Sequence, residues 1–304
     1  MAATSEGTHS EPVLKKEVCV FGGTGFLGQR IVSHLLALGC GVRVVSRHPH
    51  EPTRPHVAAV KADIRDPASL AGALVGADAL VNAVSLYAET PDLSFADVHV
   101  TGAAALARAA SESRIAQFVQ LSGIGANPDS DSAYIRARGE GEAAVRWEKP
   151  NAVIVRPSVM FGPEDGFLET LQRIIRLSPV LPLFGSGDAL LQPVYVENVA
   201  EAIARILTCD DHHKLYEFGG PRIYTYREIV ETIARVRARR LPLLLPTPFA
   251  VWRAAARAGS TLGLRAVSTT EIELMERDNV ASDLPGLAEL GVTPTSIETF
   301  LYEN

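Results

Sequence analysis

The chain is poor in three features, and each shortage excludes a class of protein. Long apolar runs are missing. The longest, Leu241 to Val251, is broken by Pro242, Pro246 and Pro248 and is too short to cross a bilayer, so an integral membrane helix is not expected. Cysteine is scarce: Cys19, Cys40 and Cys209 are odd in number and lack metal-ligand spacing. That usage fits a reducing compartment with no disulfide framework and no metal site, and Cys19, in an apolar run, is expected to pack in a core. Basic residues do not dominate. With 29 Lys and Arg against 35 Asp and Glu the formal net charge is −6, and no basic stripe interleaved with aromatics marks a nucleic-acid surface. Residues 1–12 are small and polar and open a tail, 1–14, expected to be disordered; it has neither the apolar core of a secretory signal nor the arginines of a transit peptide.

What is present begins at Val18-Cys19-Val20-Phe21-Gly22-Gly23-Thr24-Gly25-Phe26-Leu27-Gly28. A strand-like run breaks into a glycine turn and opens into an amphipathic helix, Gln29 to Leu38. Gly22, Gly25 and Gly28 permit a tight turn, close approach of the main chain to a pyrophosphate, and close helix–strand packing. The helix N-terminus adds free N–H groups and partial positive charge. Gly22, Thr24, Gly25, Phe26, Leu27 and Gly28 are therefore candidate cofactor contacts. The second strand, from Gly41, ends in Ser46, Arg47 and His48, where an NAD-preferring site would place Asp or Glu. A guanidinium forks onto a 2′-phosphate that a carboxylate would repel, so NADPH is expected in preference to NADH.

At 304 residues, 47% hydrophobic and 21% charged, the chain suits one large α/β domain carrying a smaller lobe. Strand and helix patterns alternate: strands at 57–61, 79–84, 117–121 and 152–155, and helices at 68–75, 95–111 and 133–147. This is the pattern of βαβ units, and right-handed crossovers then give a doubly wound parallel sheet, a Rossmann fold. Residues 15–156 and 190–208 are expected to form the dinucleotide-binding domain, and 157–189 and 209–304 a smaller C-terminal α/β lobe over the carboxyl ends of the strands.

With the glycine turn, the pair Asp63-Ile64, the run Asn82-Ala83-Val84-Ser85, Ser122, Tyr134 and the segment Arg156 to Gly162, the sequence resembles the short-chain dehydrogenase/reductase superfamily, as an extended or atypical member. The resemblance implies that Asp63 and Ile64 contact adenine, that Ala83, Val84 and Ser85 line a ribose, and that Pro157, Ser158 and Val159 pass near the nicotinamide. It also implies Ser122 and Tyr134 as catalytic groups, with a lysine four residues after the tyrosine. Here Arg138 stands in that place. Arginine keeps the charge but not the shape, and it does not deprotonate, so the site reads as built to bind and less clearly to react.

Gln192 to Ala200, Tyr216 to Pro221, the Leu-Pro stretch from Leu241 and Asp278 to Val292 narrow the resemblance. They are similar to the branch that holds the nucleotide-binding accessory subunit of respiratory complex I and its bacterial relatives. That branch implies an NADPH-binding structural or assembly protein without turnover of its own. It would partner complex I subunits, peripherally on the cytoplasmic face of the inner membrane. The alternative is an NADPH-dependent reductase or epimerase-like enzyme acting on a small carbonyl, a sugar nucleotide or a quinone-related substrate. Arg235, Arg237, Arg239 and Arg240 at a helix end, and Trp252 with Arg253 and Arg257, are candidate contacts to a membrane interface or an acidic partner. His34 is expected to be packed or half-exposed, His212 and His213 to lie in a solvated turn, Asp165 to cap a helix, and Glu140 and Glu142 to lie on an exposed helix face.

Overall fold

The computed structural model describes residues 15–209, 212–237, 241–261 and 268–303. The expected tail and Arg239, Arg240, Asp210 and Asp211 lie outside them. In chain order the first half runs β1 (Glu17–Phe21), α1 (Phe26–Ala37), β2 (Gly41–Ser46), β3 (Val57–Lys61), α2 (Pro67–Leu74) and β4 (Ala79–Asn82). A π-helical turn (Asp97–Gly102) opens into α3 (Ala103–Glu112), followed by β5 (Gln117–Leu121), α4 (Ala133–Glu148) and β6 (Val153–Pro157). The second half runs β7 (Met160–Phe161), α5 (Gly166–Leu177), β8 (Val180–Phe184), β9 (Leu190–Leu191), β10 (Val194–Tyr195), α6 (Val196–Thr208) and β11 (Leu215–Phe218). It ends with β12 (Tyr224–Thr225), α7 (Tyr226–Arg237), β13 (Leu243–Thr247), α8 (Phe249–Thr261), α9 (Thr269–Met275) and α10 (Ile297–Glu303).

Seven parallel strands form the main sheet in the order β11-β6-β5-β4-β1-β2-β3. The central strands are near-continuous apolar runs because helices cover both faces. On one face Ile31, Val32 and Leu35 of α1 and Val199, Ile203 and Ile206 of α6 pack over Val18, Val20, Val81 and Val119. On the other, Leu70 and Leu74 of α2 and Leu106 and Ala110 of α3 pack over Cys19, Phe21, Leu80 and Phe118. The chain reverses direction across the sheet between β1 and β4, and a crevice opens there at the strands' carboxyl ends, the usual ligand position in such sheets.

One strand departs from the expected division. β11, from the segment assigned to the smaller lobe, is the edge strand of the main sheet, parallel to β6. The edge beyond β6 offers unpaired backbone groups, Tyr216 and Phe218 fill the core beside α6, and Glu217 meets Arg156 of β6. The smaller lobe has its own core: Leu168, Leu171 and Ile175 of α5, Ile229 and Ile233 of α7, and Phe300 and Leu301 of α10. The segment around Asn279 ties the lobe to the sheet. Its side-chain carbonyl accepts from the Ser158 hydroxyl at 2.6 Å and from the Val159 N–H at 2.9 Å. The Glu217 carboxylate accepts from the backbone and the hydroxyl of Ser282, both at 2.9 Å.

Candidate functional site

The crevice is a cleft of about 400 Å³ at the carboxyl ends of β1, β2 and β4. Gly22 has φ +76°, and a Cβ there would lie 2.9 Å from the Ala83 carbonyl, so the turn after β1 needs glycine. At Gly28 a Cβ would come within 2.1 Å of the Gly22 oxygen, which lets α1 start hard against the turn. The N-cap of α1 is Gly25, with no side chain to cap it and no acidic residue in the first turn. Its leading N–H groups thus face the cleft with no carboxylate competing for them, the arrangement that receives a diphosphate.

Thirteen of the expected cofactor contacts line this cleft: Gly22, Thr24, Gly25, Phe26, Leu27, Gly28, Ser46, Arg47, Asp63, Ile64, Ala83, Val84 and Ser85. The Ser46 hydroxyl is buried with no hydrogen-bond partner, a polar atom that a ligand in the cleft would satisfy. Arg47 is exposed at the end of β2, and His48 beside it does not line the cleft. Arg65, which the sequence reading passed over, adds a second guanidinium here, 2.6 Å from the Asp63 carboxylate. That pairing holds the Asp63 carboxyl below the usual carboxylate range. Its signal in the sequence is an arginine two residues beyond the adenine-side aspartate.

Asn82 shapes the turn that follows β4. Buried and anchored to Gln120 at 2.9 Å, it accepts from the Val84 N–H at 3.2 Å and so presents Ala83 to Ser85 to the cleft. Directly behind, one nitrogen of Arg138 donates to the Ser85 hydroxyl at 2.7 Å and to the Tyr134 hydroxyl at 2.9 Å. Its other terminal nitrogen donates to the Leu121 carbonyl at 3.3 Å, and its Nε is buried with no partner. Arg138, Tyr134 and Ser85 therefore form one cluster, on the helical spacing of four that places Tyr134 above Arg138. Burial pushes the Tyr134 phenol above its ordinary range, with the Arg138 charge pulling against it. His99, on the π-helical turn, contacts the Tyr134 ring edge-on, and its Nε2 lies 3.0 Å from the Leu86 carbonyl. Burial and the nearby Arg138 lower its pKa to about 3, so it is neutral at physiological pH.

The other expected residues lie elsewhere. The Ser122 hydroxyl donates to Glu142 at 2.6 Å, away from the tyrosine. Glu142, expected on an exposed face, is buried: Arg156 grips it with two nitrogens at 2.8 and 2.7 Å and reaches Glu217 at 3.2 Å. Glu142 follows Tyr134 and Arg138 at the same spacing of four, so the helical period puts all three on the inward face. Pro157, Ser158 and Val159 are absent from the cleft wall, where Met160 stands instead; Ser158 and Val159 hold Asn279. Asp165 caps α5, accepting from Leu168 N at 2.5 Å and Glu169 N at 3.4 Å. His34 is half-buried and 3.0 Å from Glu197.

A profile of the NAD dependent epimerase/dehydratase family matches residues 18–219. The chain belongs to that family. Its fold is the NAD(P)-binding fold of the extended short-chain dehydrogenases/reductases. Over 295 residues it is 33% identical to NADH dehydrogenase (ubiquinone) 1 alpha subcomplex subunit 9 of Rattus norvegicus, covering 92% of this chain and 77% of that protein. The same-named mitochondrial protein of Arabidopsis thaliana is 35% identical over 78% of this chain, and the match spans 61% of that relative's length. A ceramide reductase of Caulobacter vibrioides is 31% identical over 76% of this chain and 74% of its own. Among solved structures, the triphenylmethane reductase of Citrobacter sp., complexed with NADP(H), superposes with a TM-score of 0.74 at 18% identity, over 94% of this chain and 99% of that one. At that identity the likeness is one of fold. Among the described residues, no helix is long and apolar enough to cross a membrane.

Proposed function

We propose that this protein binds NADPH in the cleft and serves as an accessory or assembly component of a respiratory NADH:quinone oxidoreductase, peripheral to the membrane on the cytoplasmic side. The observation that carries this reading is the similarity to the rat respiratory subunit, which extends over nine-tenths of the chain and through the smaller lobe. The residues present fit the cofactor. The uncapped N-terminus of α1 and the glycine turn would hold the diphosphate, and Asp63 and Ile64 would flank the adenine. Ser46, Arg47 and Arg65 would meet the 2′-phosphate, and Ala83 to Ser85, with Tyr134 and Arg138 behind them, the nicotinamide ribose. When bound, NADPH supplies a hydride. The arrangement behind Ser85 gives proton transfer little help: Arg138 keeps its protons, burial holds the phenol up against the Arg138 charge, and the Ser122 hydroxyl is committed to Glu142. Holding the cofactor is what this arrangement does best. Deleting the gene should lower the yield of assembled complex, and normal assembly without the protein would overturn the reading.

A second reading rests on the similarity to the ceramide reductase and on the two hydroxyls, Ser85 and Tyr134, that share one guanidinium. It makes the protein an NADPH-dependent reductase or epimerase-like enzyme. Under it Tyr134→Phe abolishes turnover and Arg138→Lys preserves or raises it. Cofactor oxidation indifferent to Tyr134→Phe would exclude the tyrosine as the acid.

A further inference from the structure

β8 and β13 form a two-stranded parallel ribbon on the smaller lobe, in the register Leu243 with Val180, Leu244 with Leu181 and Leu245 with Pro182. Side chains alternate across a strand, so such a ribbon normally shows one apolar and one polar face. This ribbon is apolar on both. Leu181 and Leu183 point into the lobe's core with Leu244 against it. Val180, Leu243 and Leu245 point outward, and Leu243 is 66% exposed. Close to the ribbon in sequence, Ile174 and Leu177 at the end of α5 are also exposed, the latter 79%, as are Leu241 and Val251. These seven residues are half of the exposed large apolar side chains among the described residues. The candidate contacts named from the sequence lie differently: Trp252 turns inward, donating to the Leu183 carbonyl at 3.0 Å and packing tilted against Phe184, and Arg253 pairs with Glu276.

Charge identifies the occupant. Residues 170–184 and 241–258 contain no Asp or Glu, and of their four arginines Arg253 is paired with Glu276, in a chain whose net charge is −6. Arg173 and Arg176 are exposed on α5, one helical turn before and directly beside Leu177, and form no ion pair with the described residues. An exposed leucine face beside two arginines that form no ion pair among the described residues matches the headgroup and acyl boundary of an anionic bilayer, where leucine enters the apolar layer and guanidinium meets phosphate. A protein chain that is acidic overall would otherwise be repelled by such a surface.

We propose that the β8–β13 ribbon, with the end of α5, docks this protein onto an anionic phospholipid surface. This rests on the peripheral location proposed above and names the surface responsible, which is separate from the cofactor cleft. The test is co-sedimentation of the full chain with vesicles of phosphatidylcholine, with and without phosphatidylglycerol. The chain should bind the mixed vesicles, less so as salt is raised, and only weakly the neutral ones. Leu243→Glu with Leu245→Glu should lower binding about tenfold or more, and Arg173→Glu with Arg176→Glu should lower it on anionic vesicles alone. Unchanged NADPH binding in both variants shows that they fold. No binding to either vesicle, or binding indifferent to the leucine pair, overturns the proposal. So does a leucine variant that loses only a membrane protein complex while the parent ignores vesicles, which would make the ribbon a protein contact. None of these outcomes depends on whether respiratory subunits co-purify, so the docking and accessory-subunit readings fail separately.

Discussion

Arg138 is a single buried cation serving Ser85, Tyr134 and the Leu121 carbonyl. Arg138→Met keeps the bulk but strands all three oxygens, and should cost about 3 kcal/mol in chemical denaturation. Arg47 lines the same cleft beyond the end of β2. Arg47→Asp should weaken NADPH roughly 10- to 100-fold in a fluorescence titration while leaving NADH nearly unchanged; equal losses would mean that Arg47 does not read the 2′-phosphate. His99 sets an acid limit. Its folded-state pKa of about 3 lies below the ordinary 6.5, so between those values the unfolded chain takes up a proton that the folded chain refuses. The stability contributed by neutral His99 is complete above about pH 6.5 and falls by about 1.4 kcal/mol per pH unit as pH drops through that window. His99→Gln should flatten this limb of a stability–pH profile; an unchanged slope would assign the acid sensitivity elsewhere. At this scale the sequence was readable where backbone chemistry dictates residue type, as at Gly22 and Gly28. It was less so where tertiary partners decide: Glu142 looks like a surface carboxylate until Arg156, fourteen residues on, is folded onto it.

Each element of the first half is announced by its own pattern, because strands buried on both faces are apolar throughout and the helices between them carry an apolar stripe. The expected helix 95–111 is present, with a π-helical turn at Asp97–Gly102 that brings His99 inward against Leu86 and Tyr134. No residue spacing marks that turn in advance. The second half was harder to read because strands of two residues, such as β9 and β12, are set by pairing and not by composition. The place of β11 in the main sheet depends on a free edge beside β6 that only the folded sheet supplies. α5 offers a test at the level of the element. Asp165 supplies its cap and also accepts from the Gly162 N–H at 2.8 Å, while burial pushes its carboxyl up. Asp165→Ala should destabilise the protein by about 2 kcal/mol, with Asp165→Asn recovering part of the loss. If neither variant lowers the melting temperature, the cap does not hold this helix.

For the molecule as a whole, the division of labour is spatial. The main sheet and its glycine turn form the cleft, and the Asn279 strap and the Ser282–Glu217 bonds tie the segment of the smaller lobe around them to the sheet. The smaller lobe carries the apolar ribbon outward. If both proposals hold, a cofactor-binding domain with a separate docking face is the form expected of an accessory subunit, in which a bound nucleotide would stabilise the fold by mass action whether or not it reacts. The central claim is tested most directly by affinity purification of the tagged protein from gently solubilised native membranes, followed by identification of what accompanies it. The account predicts subunits of the respiratory NADH:quinone oxidoreductase in fixed proportion to the bait. Recovery of the protein without any of those subunits would contradict it.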